Sequence, residues 1–232
     1  AALTRFAKKC GFKGYREFIF KYQQQKDALT LLQPDMNPLT QRVLRSYTNL
    51  REMSRELIDE EQLERVAQMI EQAERVYFFG TGSSGLVARE MKFRFMRLGV
   101  VCEAITDPDG FAWTTSILDK NCLVFGFSLS GTTTSVIDSL LDAQDMGAKT
   151  VLFTSMLSKE TQDFTETVLV ANQGQSPYIQ RLSAQLPMLF VIDLIYAYFL
   201  EIDRESKEKI FNSYWENKKL NGYRRNRKNG KS

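Results

Sequence analysis

From Arg75 onward, short runs of apolar residues alternate with longer stretches whose apolar positions recur at helical spacing, and this alternation narrows the fold more than any other feature. Val76–Phe79, Val100–Ile105, Asn121–Phe127, Thr150–Thr154 and Glu166–Val170 read as strands. Between them, Gly85–Leu98 reads as a helix with Val87, Met91, Phe95 and Leu98 on one face. Thr132–Met146 reads as another, with Val136, Ile137, Leu140 and Leu141 inward, and a long helix from about Ile179 to Ile202 closes the series. Strands without polar alternation are buried on both faces, and strands that alternate with helices build parallel sheets. The expectation is an α/β fold with a five-stranded, doubly wound parallel sheet. Sites in such sheets lie beyond the strand C-termini, where the strand order reverses.

Two strand-to-helix turns carry the chemistry. The first strand runs into Gly80-Thr81-Gly82-Ser83-Ser84-Gly85, and the strand ending at Phe127 runs into Ser128-Leu129-Ser130-Gly131-Thr132-Thr133-Thr134. Each sets small, hydroxyl-bearing residues at a helix N-terminus, where unpaired N–H groups and the helix dipole favour an anion. The first turn is equally well read as turn chemistry and capping. It departs from the dinucleotide fingerprint because Gly85 comes one residue early, and it lacks the lysine of a P-loop. The second is more specific, because a helix needs one cap and this turn offers five hydroxyls in seven residues.

Ser128-x-Ser130-Gly131-x-Thr133 on a strand-loop-helix, preceded by Gly80-x-Gly82-x-Ser84-Gly85, resembles the SIS (sugar isomerase) domain over about residues 60–203, with its flavodoxin-like sheet. The string from Leu3 to Phe18 (LTRFAKKCGFKGYREF) resembles the end of the helix-turn-helix in RpiR-type regulators. The resemblance implies a DNA-binding transcriptional regulator of carbohydrate metabolism with a phosphosugar effector. The effector set is Gly82, Ser83, Ser84, Ser128, Ser130, Gly131, Thr132 and Thr133, with the phosphate on Ser128, Ser130, Thr133 and nearby amides. It further implies DNA contacts from Thr4, Arg5, Lys8, Lys9 and Lys13, and a homodimer or larger assembly on a double-stranded DNA operator. The domains expected are residues 1–36 for the end of the helix-turn-helix and linker, 37–203 for the phosphosugar domain with its leading helices, and 204–232 for a C-terminal helix and basic tail.

The same domain occurs in sugar-phosphate isomerases, the alternative reading; a module that has lost its ligand is a third. Isomerisation needs a base. The chain has no histidine, which excludes serine–histidine triads and histidine metal sites. The region Ala171–Gln185, where SIS enzymes resemble one another in carrying acid–base residues, has no Asp, Glu, His or Lys. Gln173 and Gln175 hydrogen-bond but do not take protons. No catalytic residue, metal or cofactor is expected. Glu103, Asp107 and Asp109 read as solvated residues or acceptors for sugar hydroxyls, Arg181 as a surface or ligand group, Asp193 as a paired interface or core group, and Phe111 and Trp113 as packing. Three scattered cysteines, Cys10, Cys102 and Cys122, read as buried thiols.

Before the α/β region, Leu3, Phe6, Ala7 and Cys10 form one helical face, Gly11 sits at a C-cap position, and Tyr15, Phe18, Ile19 and Tyr22 form a second. Two short helices cannot enclose a core, so the start of this small unit is expected to precede the sequence. A proline-containing linker spans Gln23–Pro38. Helical patterning resumes over Leu39–Glu74 with a break near Asp59, its charged faces being solvated or a dimer contact. Residues 1–26 hold seven basic residues and one acidic, and residues 218–232 hold seven basic and none acidic, in a chain of net charge +3; the middle is therefore at −10. Basic ends on an acidic body point to a polyanion at the ends. The tail after about Leu220 has no apolar periodicity and is expected to be disordered, either touching DNA nonspecifically or arising as an artefact. The apolar run Pro187–Leu200 is interrupted by Asp193 and too short to span a bilayer, and no export signal is present, so a cytoplasmic location is expected.

Overall fold

The computed structural model describes residues 2–9, 11–19, 22, 36–159, 161, 163–172 and 185–229. They form two compact units, residues 1–52 and 53–232.

In the first unit, α1 (Ala2–Lys9) ends at Gly11, whose amide bonds the Lys8 carbonyl at 3.1 Å while Phe12 reaches Ala7 at 3.0 Å. These bonds satisfy the last carbonyls of the helix. Residues 15–19 are helical, and the Glu17 carboxylate accepts from the Lys13 amide at their start. Phe18 meets Phe6, Phe12, Tyr15 and Tyr22. Ala7 is buried, but Leu3 and Phe6 of the expected apolar face are exposed. Two short helices offer too little surface to cover them. Helix α2 (Pro38–Glu56) starts as its sequence dictates: Asn37 accepts from the Leu39 amide at 2.9 Å, with Pro38 in the first turn.

The second unit opens with α3 (Glu60–Gln72), capped by Asp59, whose side chain accepts from Gln62 at 3.0 Å. The expected break falls at this cap. Then follow β1 (Arg75–Gly80), α4 (Gly82–Met96), β2 (Cys102–Ile105), α5 (Pro108–Thr115), β3 (Cys122–Phe127), α6 (Thr134–Asp145), β4 (Lys149–Thr154), β5 (Glu166–Leu169), α7 (Leu186–Ile202) and α8 (Arg204–Asn229). All five strands are parallel, in the order β2-β1-β3-β4-β5. The sheet is the doubly wound one expected.

Alternation along the central strands divides the core in two. Phe78, Leu123, Phe125, Val151 and Phe153 face a layer built by α3, α4 and α7. Phe79, Val124 and Leu152 face α5 and α6. Phe125 lies 5.4 Å from Phe78 and 6.1 Å from Phe153, ring centre to ring centre, so an aromatic row crosses three strands. No residue of β3 is exposed, which accounts for its unbroken apolar run.

Several expectations are corrected. Leu141 is 39% exposed because it sits one position past the buried stripe of Val136, Ile137 and Leu140 on α6. Helix α5 was not anticipated. Phe111 does pack, stacking on Phe79 at 4.7 Å, but Trp113 on the same helix is 79% exposed. Asp193 is paired, with Arg94, at the surface and outside the core. The last helix is described from Leu186, the earlier residues assigned to it lying outside the described residues. The basic tail expected to be disordered is helical as far as Asn229. Lys and Arg are good helix formers and are favoured at a helix C-terminus, where the dipole is negative. Among the described residues no helix is long and apolar enough to cross a membrane.

Truncating the middle of the aromatic row, Phe125→Ala, should lower the unfolding free energy by about 3–5 kcal/mol in a denaturant titration. A loss below about 1 kcal/mol would mean that this row is not the tightly packed centre of the unit.

Candidate functional site

Gly80, the last residue of β1, pairs with Phe127, the last of β3. The strand order reverses between these two strands. Neighbouring strands lie about 4.8 Å apart, so the chain continues into Thr81 and into Ser128 side by side. The following helices go to opposite faces, α4 to one and α6 to the other. Two helix N-termini therefore flank the crevice at the reversal point, where doubly wound sheets bind ligands.

In the first turn, Thr81 is the N-cap in extended backbone and makes no side-chain cap bond. The helix begins at Gly82, three residues earlier than expected, with a φ of 55° that favours glycine. A Cβ on Gly82 would meet nothing within 4 Å, so a ligand can approach this backbone. Gly80 and Gly85 act differently. A Cβ on Gly80 would stand 2.7 Å from the Ser84 carbonyl oxygen, and one on Gly85 would stand 2.8 Å from the Gly80 carbonyl oxygen. Strand and helix touch backbone to backbone there. This contact sets Ser83, exposed, and Ser84, half-buried, in the first helical turn, and among the described residues neither hydroxyl has a hydrogen-bond partner.

The second turn is braced from within. Ser128 is only 1% exposed; its hydroxyl donates to Thr133 Oγ1 at 3.0 Å and accepts from the Thr133 amide at 3.2 Å. Its part is to hold the turn. Gly131, at a φ of 68°, packs where a Cβ would be 2.9 Å from Thr154 Oγ1. The Leu129 carbonyl accepts from the Ser155 amide at 3.0 Å and the Ser155 hydroxyl at 2.6 Å, and Asn172 donates to that hydroxyl at 2.9 Å. The end of β4 thus fixes the turn after β3. Ser130 and Thr132 share a hydrogen bond of 2.9 Å and are exposed. The Thr133 hydroxyl, an acceptor from Ser128, keeps its own proton to donate. The Gly131, Thr132 and Thr133 amides already have acceptors. The next two amides, in the first turn of α6, have no intrahelical acceptor. The surface this turn offers an oxyanion is therefore three hydroxyls, at Ser130, Thr132 and Thr133, above an open helix end.

A cleft of about 300 Å³ opens on the β4 side of this turn, lined by Ser130, Gly131, Thr132, Thr134, Ile137, Asp138, Met156, Leu157 and Ser158. Asp138 and the residues after β4 did not figure in the sequence reading. Their place depends on how the β4 loop returns, for which the sequence has no local signal.

The carboxylates near β2 have structural partners. Asp107 caps α5, accepting from the Gly110 amide at 2.8 Å, and Glu103 is paired with Lys92. Asp109 is exposed in the first turn of α5. Burial pushes the Cys102 thiol up to about 11 and raises that of Cys122, so both are protonated at neutral pH. Cys10, Gln173, Gln175 and Arg181 lie outside the described residues. In the first unit, Thr4, Arg5 and Lys8 are exposed on α1 with Lys9 at its end, and Lys13 is exposed just beyond.

Comparison with known proteins extends these observations. Residues 69–197 match the SIS domain family. The chain is similar to an uncharacterised HTH-type transcriptional regulator of Haemophilus influenzae, 30% identical over 228 residues that cover 91% of this chain and 79% of that protein. It is similar also to the HTH-type transcriptional regulator RpiR of Escherichia coli, at 21% identity, covering 88% of this chain and 72% of the other. Among solved structures, the Vibrio vulnificus NanR protein complexed with ManNAc-6P superimposes with a TM-score of 0.69 at 24% identity, covering 92% of this chain and 78% of that one.

Gly131→Ala should cost about 1–2 kcal/mol of stability, because it puts a side chain in the left-handed region; an unchanged denaturation midpoint would contradict the account of this turn. Iodoacetamide should leave Cys102 and Cys122 of the native protein unmodified at neutral pH, with Cys102 reacting as the pH approaches about 11. Rapid labelling at neutral pH would show an activated thiolate.

Proposed function

The chain belongs to the RpiR-type HTH transcriptional regulators that carry a SIS domain, and on that footing we infer that it senses a phosphosugar and passes the signal to DNA without transforming the ligand. The observation that carries this reading is the pair of hydroxyl-rich turns on hydrogen-bonded neighbouring strands, each at an open helix N-terminus, at the point where the sheet order reverses.

Gly82, Ser83 and Ser84 would meet the effector from β1, and Ser130, Gly131, Thr132 and Thr133 from β3, with Ser128 holding the second turn in shape. Hydrogen bonds from hydroxyls and amides to a phosphate are charge-assisted and stronger than neutral ones, so capture does not require a lysine or arginine in either turn. NanR, a structural neighbour, is complexed with a phosphorylated amino sugar, which supports a ligand of that class. Thr4, Arg5, Lys8, Lys9 and Lys13 would contact DNA, the cations at phosphates and Thr4 and Arg5 at base edges or phosphates.

In this reading residues 1–36 belong to the DNA-binding unit and linker, 37–203 to the effector domain and 204–232 to a C-terminal extension. The regulator works in the cytoplasm as a homodimer or larger assembly, and effector binding alters how paired DNA-binding units are spaced. A coupling of about 1–3 kcal/mol would change operator affinity by roughly 5- to 150-fold.

The isomerase reading needs a proton acceptor beside the sugar. Asp107 is spent on a helix cap and Glu103 on an ion pair, which supports binding without turnover; Asp138, in the cleft beside the second turn, is the carboxylate an isomerase would have to use.

A thermal-shift screen of phosphosugars should find a ligand that raises the melting temperature, since a ligand of the native state alone stabilises it. Ser130→Ala combined with Thr132→Val should weaken its binding by about tenfold or more, as expected for two lost charge-assisted bonds. No response to any phosphosugar, or an unchanged affinity in the variant, would refute the site. Release of the C2 proton to solvent at steady turnover would replace the sensor with an enzyme.

A further inference from the structure

The C-terminal helix has two unlike parts. Its beginning is fastened to the second unit. Lys207 is buried, with Nζ 2.8 Å from Glu71 in a close but poorly directed ion pair and 4.3 Å from the centre of the Phe199 ring. Ile210 lies 3.0 Å from where a Cβ on Gly99 would stand, and the Arg97 guanidinium sits 4.3 Å over the Phe211 ring. From residue 212 to 219 every side chain is exposed, and the helical backbone continues to Asn229.

Charge changes at the same place. Residues 204–217 carry as many acidic as basic side chains, whereas residues 218–229 contain six basic residues and no acidic one. At 1.5 Å per residue this part of the helix extends about 18 Å, a length over which one DNA strand presents about five phosphates. A chain that concentrates its acid in the middle and its base at the two ends meets a polyanion at those ends. Residues 216–229 include only Leu220 and Tyr223 as large apolar residues, too few for the apolar face by which a helix beds into lipid.

We propose that residues 218–229 form a second DNA-contacting element, a basic helix held out from the SIS domain by its anchored first turns, which grips the phosphate backbone without reading sequence. It rests on the regulator reading only in taking DNA as the polyanion. Its contacts would add to affinity and to salt dependence, leaving choice of operator to the N-terminal unit.

The test is fluorescence anisotropy of the full chain with a labelled duplex of scrambled sequence, titrated over a range of salt. Combining Arg224→Gln, Arg225→Gln, Arg227→Gln and Lys228→Gln should weaken binding and flatten the slope of log affinity against log salt by about 0.9 for each phosphate contact removed, up to about 3.6. The Lys218→Gln, Lys219→Gln pair should flatten it by up to about 1.8, and serves as the second probe if the fourfold variant fails to fold by circular dichroism. Parental affinity and slope in a folded variant would overturn the proposal, as would binding of the parent to anionic phosphatidylglycerol vesicles but not to the duplex. An Arg5→Ala, Lys8→Ala variant separates the two claims. If it alone loses duplex binding, the C-terminal site falls and the regulator reading stands. If only the C-terminal variants lose it, the C-terminal site stands and the assignment of α1 to DNA falls. Both sets of variants should keep the phosphosugar-induced rise in melting temperature.

Discussion

Because β1 and β3 pair in parallel with Gly80 opposite Phe127, two strand-to-helix turns leave the sheet side by side while their helices pass to opposite faces. Everything proposed about the ligand depends on this pairing. It is secured from both sides by the core: Phe78 and Phe125 on one face, Phe79 and Val124 on the other, all without solvent exposure. The glycines at Gly80 and Gly85 then allow the first helix to start in backbone contact with its strand, and the end of β4 ties down the second turn through Ser155. The turns are thus rigid extensions of the sheet, as a preorganised binding site requires.

Much of this was legible in the sequence, for reasons that can be traced to particular residues. Buried parallel strands leave runs such as Cys122–Phe127 with no polar position, so the five strands and the doubly wound class followed from pattern alone. The break near Asp59 and the two hydroxyl-rich turns were local signals of the same kind. Helix α5 was missed although Asp107-Pro108 is a cap followed by a first-turn proline, because its short apolar pattern is weak and Trp113 is not buried. The C-terminal helix was expected, but its continuation through the basic tail to Asn229 was not, because the residues after Leu220 carry no apolar periodicity to mark it. The bracing of the second turn by Thr154 and Ser155 was beyond local reading, since it joins residues more than twenty positions apart. So was the role of Ser128, which the family resemblance assigns to the phosphate and the geometry commits to Thr133.

The chemistry around the turns favours holding over transforming. Hydroxyls and helix-end amides stabilise a phosphate but do not move protons between carbons. Of the carboxylates at the end of β2, Asp107 is occupied by a cap and Glu103 by an ion pair, and the Cys102 and Cys122 thiols are kept protonated by burial. If both basic ends meet DNA as proposed, the acidic body between them would be disfavoured there, which would restrict the orientations in which such a regulator can bind.

The most direct measurement of the central claim is an amide NMR titration with a phosphosugar, with inorganic phosphate as the minimal probe. The amides of Gly82–Ser84 and of Ser130–Thr133 should shift together, saturating at one common ligand concentration. Shifts confined to one turn, or clustered away from the C-terminal ends of β1 and β3, would rule out a site shared by the two turns.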